Sequence, residues 1–215
     1  MYAFYHQQIT QCDQQIRAHL ETFGDKSAGP PLPPKARRHK KTNEPRFDAR
    51  TPLSRLAGVD LTTIEGIEEG TALVLLSEIG TDMTRWPSVK HFWSWLGLCP
   101  QHKISGGKVL SRRVRPGAHR VTVALRLAAR SLHHSQSALG AFFRRMKARL
   151  GTPKALTATA HKLARLVYHL LKYGSAYVQQ GLDAYEAQYR ERKVTTMAKQ
   201  AKALGYTLVP LTAQG

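Results

Sequence analysis

Apolar residues recur at spacings of three and four through Tyr2, Tyr5, Ile9, Cys12, Ile16, Leu20 and Phe23, which predicts a helix over residues 2–23 stopped at Gly24. Its other face is rich in Gln, a composition suited to pairing with another helix. Ser27-Ala-Gly-Pro-Pro-Leu-Pro-Pro34 then reads as a stiff segment and Lys35-Ala-Arg-Arg-His-Lys-Lys41 as a charged one. Together they predict an exposed linker, either simply solvated or touching a phosphate backbone.

From Pro52 the pattern tightens. Leu53, Leu56 and Val59 lead into Leu61-Thr-Thr-Ile-Glu-Gly-Ile67, and Ala72, Leu73, Leu75, Leu76 and Ile79 continue at helical spacing to Gly80. A short helix, a turn at Gly66 and a second helix resemble a helix–hairpin–helix, in which backbone N–H groups hold a phosphate. Glu68 stands where that motif has its second glycine, and Glu69 follows. Both a purely structural hairpin and a phosphate contact at Gly66 stay open.

Further helices are predicted over Trp86–Leu96, from about Ala118, over Ala141–Leu150 and over Pro153–Tyr173. In the first, Val89, Phe92, Trp93 and Leu96 point inward as core. The last has the clearest apolar face, Leu156, Ala160, Leu163, Ala164, Val167, Leu170 and Leu171, and Gly174 as its stop. His161 and His169 on it are eight residues apart, too far along a helix for one metal, and read as solvated. Residues 183–203 predict a polar surface helix before an apolar tail, Tyr206–Leu211. With no strand-rich region, the fold class is all-α. Four segments follow: residues 1–24 as a coiled-coil-like connector, 25–51 as linker, 52–178 as a compact helical domain, and 179–215 as a final helix and tail.

Charge changes this picture most. Lys and Arg total 33 against 14 Asp and Glu, a net charge of +19. Met83 to Leu182 contains no Asp or Glu and 18 Lys and Arg. A run spanning several elements is not one solvated helix face; it reads as the electrostatic footprint of a nucleic-acid binder, with a nonspecific or ribosome-like polycation as the alternative. The same block argues against a complete metal-dependent nuclease site, which needs converging carboxylates. No cofactor is expected on this chain. Two distant cysteines, Cys12 and Cys99, argue against a disulfide framework and suit a reducing cytoplasm. No apolar run is long enough to span a membrane.

The sharpest chemical feature is Ser105-Gly-Gly-Lys108. Glycines beside a serine let the backbone approach a phosphate and leave the hydroxyl uncrowded. Lys103, Lys108, Arg112, Arg113 and Arg115 surround it in sequence, and alternation through Val109 suggests a short hairpin arm. Arg120, Arg126 and Arg130 follow on the next predicted helix. With Gly66, Gly106 and Gly107, these cations form the candidate nucleic-acid-binding set. From the residues alone, the loop is either a phosphate grip or the seat of a serine nucleophile, which would need activation from elsewhere.

Ile64-Glu-Gly-Ile67, Ala72-Leu-Val-Leu-Leu-Ser-Glu-Ile-Gly80, Trp86-Pro87, Trp95-Leu-Gly-Leu98 with Pro100, Ser105-Gly-Gly-Lys108, and Ala160-His-Lys-Leu163 with Tyr173-Gly174 and Tyr177 occur in that order. The series resembles the C-terminal domain of insertion-sequence transposases that pair a RuvC-like DEDD domain with a serine-bearing domain, the bridge-RNA-guided recombinases. Where that family often has leucine followed by paired arginines, this chain has Val121-Thr-Val123.

The resemblance implies a split active site. By that resemblance Ser105 would be the catalytic nucleophile, forming a phosphoserine link to DNA, and Mg²⁺ would belong to the DEDD domain. That domain should precede the connector helix, whereas this chain opens with that helix. The expectation is therefore a C-terminal half that is inactive without a DEDD partner. The implied partners are DNA, a structured guide RNA, and either further copies of the chain or a full-length transposase, with no membrane; the implied location is the cytoplasm, at the nucleoid. A noncatalytic nucleic-acid-binding remnant and an assembly factor for full-length transposase are the alternatives.

Overall fold

The computed structural model describes residues 1–26, 32, 44–100, 103–111, 114 and 119–209, the side chains of Lys103 and of residues 177–183 excepted. Over these residues the fold is all-α with one small antiparallel hairpin. The elements are α1 (Tyr2–Glu21), α2 (Arg50–Ala57), α3 (Glu69–Ile79), α4 (Val89–Trp95), β1 (Lys103–Ser105), β2 (Lys108–Ser111), α5 (Arg120–Ser131), α6 (Ala138–Leu150), α7 (Thr152–Tyr173) and α8 (Ser175–Ala203). Two compact units emerge, Met1–Val178 and Gln179–Gly215. The proline-rich and basic stretches over residues 27–31 and 33–43 lie outside the described residues.

In the first unit, α7 is the central rod, packed against α6, α5 and α4, while α5 also packs on α3 and α3 on α2. The face read from periodicity is the one that is buried: Ala160, Leu163, Ala164, Val167 and Leu170, joined by Ala155, Thr159 and Tyr168. Phe92, Leu98, Leu125, Leu132, Phe143, Ile64, Ile67, Leu75 and Ile79 are buried as well and complete the core of this unit. Each such side chain contributes roughly 1.5–3 kcal/mol by leaving water. Tyr168, deep in this core, donates its hydroxyl to the Trp86 carbonyl at 3.0 Å.

One turn device is used twice. Asp60 accepts from the Thr62 amide at 2.9 Å and opens a 3-10 turn that buries Leu61; Asp82 does the same for Thr84 at 2.9 Å and buries Met83. Both aspartates satisfy an otherwise orphaned turn N–H. Asp60, nearly buried, also pairs with Arg50 at 2.8 Å. The Thr84 hydrogen bonds hold the Asp82 carboxyl below the usual range.

Several expectations change. α6 starts at Ala138 rather than Ala141, because the Ser137 hydroxyl accepts from the Gly140 amide and caps it. A Cβ at Gly140 would sit 2.3 Å from the Ser135 carbonyl oxygen, so glycine is required for α6 to lie against that turn. The final helix starts at Ser175, eight residues before the expected start, and runs through Gly181. Trp93 is half-buried rather than core, whereas Trp86, just before α4, is buried. In α1, among its apolar residues, Leu20 is buried, while Tyr2, Tyr5, Ile9, Cys12 and Ile16 are exposed.

Candidate nucleic-acid interface

The Ser105–Lys108 loop is the tip of the β1–β2 hairpin. Ser105 pairs with Lys108 and Ile104 with Val109, and an irregularity between Lys103 and Ile104 brings Lys103 opposite Ser111. Gly106 and Gly107 both have positive φ, +54° and +74°, the requirement of a two-residue turn whose twist matches its strands. A Cβ at either glycine would meet nothing within 4 Å, so these glycines answer to backbone conformation and not to crowding.

The arm stands in solvent: Ile104, Val109 and Leu110 are exposed, as are Ser105 and Lys108. Register partners share a face of a hairpin, so the Ser105 hydroxyl and the Lys108 ammonium project to the same side. A bridge between Pro100 and Val114 closes the arm's base. Of the cations flanking the loop in sequence, Arg112, Arg113 and Arg115 lie outside the described residues, as does the side chain of Lys103.

The chain re-enters the helical body at α5. Its buried side is Val121, Thr122, Leu125, Ala128 and Ala129, and Thr122 donates its hydroxyl to the Leu96 carbonyl at 2.7 Å. Arg120, Val123, Leu127 and Arg130 fall at steps of three, four and three, forming one exposed stripe; Arg126, half-buried, flanks it. Arg120 is partnered by Glu78 of α3 at 3.1 Å. None of the ion pairs among the described residues reaches Lys108, Arg126 or Arg130. The outer face of α5 thus presents Arg120 and Arg130 at its two ends with Val123 and Leu127 between them.

Gly66 forms the expected turn, with φ +86° and the Ile67 amide donating to the Ile64 carbonyl at 3.0 Å. It also lies against α5: a Cβ there would approach the Ala128 carbonyl oxygen to 3.0 Å and Leu132 to 3.2 Å. Packing therefore supplies a reason for glycine that needs no ligand. Glu68 and Glu69 stand at the N-terminus of α3, as the N-cap and in the first turn.

His161 and His169 are half-buried rather than simply solvated. His161 lies against the Trp93 ring, centroids 3.9 Å apart, and His169 stacks on Tyr173 at 5.5 Å. Burial, with Arg165 nearby, lowers the pKa of both, so the neutral ring is favoured. Among the described residues no group of three or more His, Cys, Asp and Glu side chains is placed to hold a metal ion. No helix among them is long and apolar enough to cross a membrane.

Two clusters escaped sequence reasoning. Lys162 is half-buried over the Phe142 ring at 4.5 Å, and burial, with Arg145 and Arg165, pulls its pKa down to about 8. His133 and Lys147, fourteen residues apart, meet at 3.2 Å between His133 Nε2 and Lys147 Nζ. Periodicity carries no signal for either, since both depend on which helices become neighbours.

Residues 59–144 match the family model described as the transposase IS116/IS110/IS902 family. The matched stretch runs from just before the first 3-10 turn to the middle of α6 and includes the whole arm. The chain is also similar to an insertion element IS110 uncharacterized 43.6 kDa protein of Streptomyces coelicolor, 30% identical over 119 residues. That alignment covers 54% of this chain and 29% of the relative, so the similar part spans less than a third of that protein. Both similarities are to proteins of insertion sequences.

Proposed function

We propose that this chain serves DNA transposition, binding duplex DNA through the arm and the outer face of α5. We further propose that Ser105 supplies the nucleophile when a metal-bearing DEDD domain is present. One observation carries this reading: an exposed serine at a Gly-Gly hairpin tip, paired with Lys108, inside a hundred-residue block without a carboxylate. Cations at the tip would stabilise charge developing on phosphorus.

In the proposed step the Ser105 oxygen forms a bond to phosphorus. The bond to the leaving strand oxygen breaks, and that oxygen keeps the electron pair. The serine proton passes to a base; the block has no carboxylate to accept it, and in this proposal the base lies on the DEDD domain. The block likewise lacks carboxylates suited to Mg²⁺, so no step is routed through a metal on this chain. A structured guide RNA, further copies of the chain or a full-length transposase are partners within the same proposal.

The test mixes this chain with cognate DNA and a full-length relative whose own serine is alanine, and seeks protein–DNA adducts on a denaturing gel. Ser105→Ala should abolish the adduct while changing DNA affinity by no more than roughly 1 kcal/mol, the value of one neutral hydrogen bond. Ser111→Ala, altered where β2 ends, should leave the adduct intact. Adducts that survive Ser105→Ala overturn the nucleophile assignment. Salt-sensitive DNA binding without any adduct, the full-length control being active, would instead favour a noncatalytic binder.

A further inference from the structure

At the C-terminal end of α5, the structure holds a second cationic assembly. Leu127 and Arg130 of α5, His133 and His134 of the following 3-10 turn, and Phe143 and Lys147 of α6 line a cleft of about 640 Å³ that reaches the first residue of α7. The hydrogen bonds within it admit one consistent direction. A lysine ammonium has only donors, so Lys147 donates to His133 Nε2. The His133 ring proton must then lie on Nδ1, which donates to His134 Nε2 at 3.2 Å. Both rings are neutral in this relay.

The surroundings are poor in negative charge. Arg144 of α6 donates to the His133 carbonyl at 3.0 Å and also to the Ser135 carbonyl, and Arg130 stands at the rim. α7 begins without an acidic residue in its first turn and without a side-chain cap, and Lys154 lies in that turn. Glu65, preceding α3, reaches the turn just after the two histidines and accepts from the Ser135 hydroxyl. Burial, then Lys147, His134 and Arg144, hold the protonation of His133 below its usual range. A cleft that gathers cations and holds a histidine neutral is a site that an anion would complete, because its charge would relieve the repulsion and favour the imidazolium.

We propose that this cleft seats one backbone phosphate of duplex DNA, and that seating it draws a proton onto the His133–His134 pair. The proton comes from solvent to His133 Nε2; Lys147, displaced from that nitrogen, turns to the phosphate oxygens. This rests on the DNA-binding reading above and adds a second anchor to it. Arg120 and Arg130 lie ten residues apart on the outer face of α5, about 15 Å at helical rise, and Arg130 stands at the rim of the cleft.

The proposal predicts tighter binding at low pH. The bound state holds the imidazolium and the free state does not, so affinity falls as pH rises through the pKa of the pair in the complex. The experiment measures anisotropy of a labelled duplex of about 20 base pairs with the full chain, near pH 6 and near pH 8, over a series of salt concentrations. Wild type should weaken roughly tenfold between the two pH values. His133→Asn combined with His134→Asn should flatten that dependence. Lys147→Gln should lose roughly tenfold near pH 6 and reduce the salt slope by about 0.9, the share of one B-DNA phosphate.

Thermal melts followed by circular dichroism check that each variant folds. As a second measurement on wild type, NMR titration of the imidazole nitrogens should show the pKa of His133 rising when DNA is added. Variants that bind with the slope and pH dependence of wild type, or no rise in that pKa, overturn the cleft while leaving the DNA-binding reading intact. Wild type that binds without salt dependence overturns that reading and the cleft with it. A loss seen only on duplex RNA of the same sequence overturns the assignment to DNA.

Discussion

The hydroxyl of Tyr168 links two elements 82 residues apart in sequence, donating to the Trp86 carbonyl at 3.0 Å while accepting from Lys172 Nζ at 2.8 Å. Lys172 donates as well to the Pro87 carbonyl at 3.1 Å, so α7 holds the turn before α4 through two side chains. Tyr168→Phe keeps the ring and leaves the Trp86 carbonyl without this donor. Stability should drop by about 1–3 kcal/mol, the cost of a buried acceptor left unmet. Urea denaturation checks this, and a loss below about 0.3 kcal/mol would show that the contact is not needed.

Gly66 offers a way to separate packing from phosphate contact. Alanine there must adopt φ +86° and press a methyl against the Ala128 carbonyl oxygen and Leu132. Gly66→Ala should therefore destabilise the fold by at least about 1 kcal/mol. DNA affinity per folded molecule should be unchanged if the glycine serves packing. Normal stability with weakened DNA binding would assign Gly66 to a phosphate instead.

The exposed stripe on α1 predicts self-association. Tyr5, Ile9, Cys12 and Ile16 face solvent at helical spacing on a helix whose own end, Leu20, is buried. Covering a stripe of this kind contributes roughly 25 cal/mol per Å² of apolar area removed from water. Ile9→Asp with Ile16→Asp should lower the mass seen by light scattering toward that of one chain. An unchanged mass in the variant would exclude α1 as the contact.

Lys162 should be the amine that gives up its proton first. Ordinary lysines titrate near about 10.4, whereas burial, then Arg145 and Arg165, bring this one to about 8. The folded state releases the proton first, so between pH 8 and the ordinary lysine value the unfolded chain binds more protons and stability from this group rises with pH. Timed acetylation with limiting reagent near pH 8, followed by peptide mass spectrometry, should show Lys162 modified ahead of the exposed Lys154. Equal rates would refute the shift.

The apolar face of α7, the glycine stop at Gly174, the turn at Gly66 and the acid-free block were all readable from the chain. Each is a property of neighbours in sequence: a 3.6-residue period, a backbone angle open to glycine, a count of charges. The Ser105–Lys108 hairpin belongs with them, since two consecutive glycines between short alternating segments specify their own turn. Tertiary structure alone decided why Gly66 meets α5, why Gly140 is indispensable where α6 meets the Ser135 carbonyl, and why His161 and His169 are covered by aromatic rings. It also decided that His133 meets Lys147. That encounter depends on the 3-10 turn folding α6 back along the end of α5, and no local pattern encodes which cations a fold will bring together.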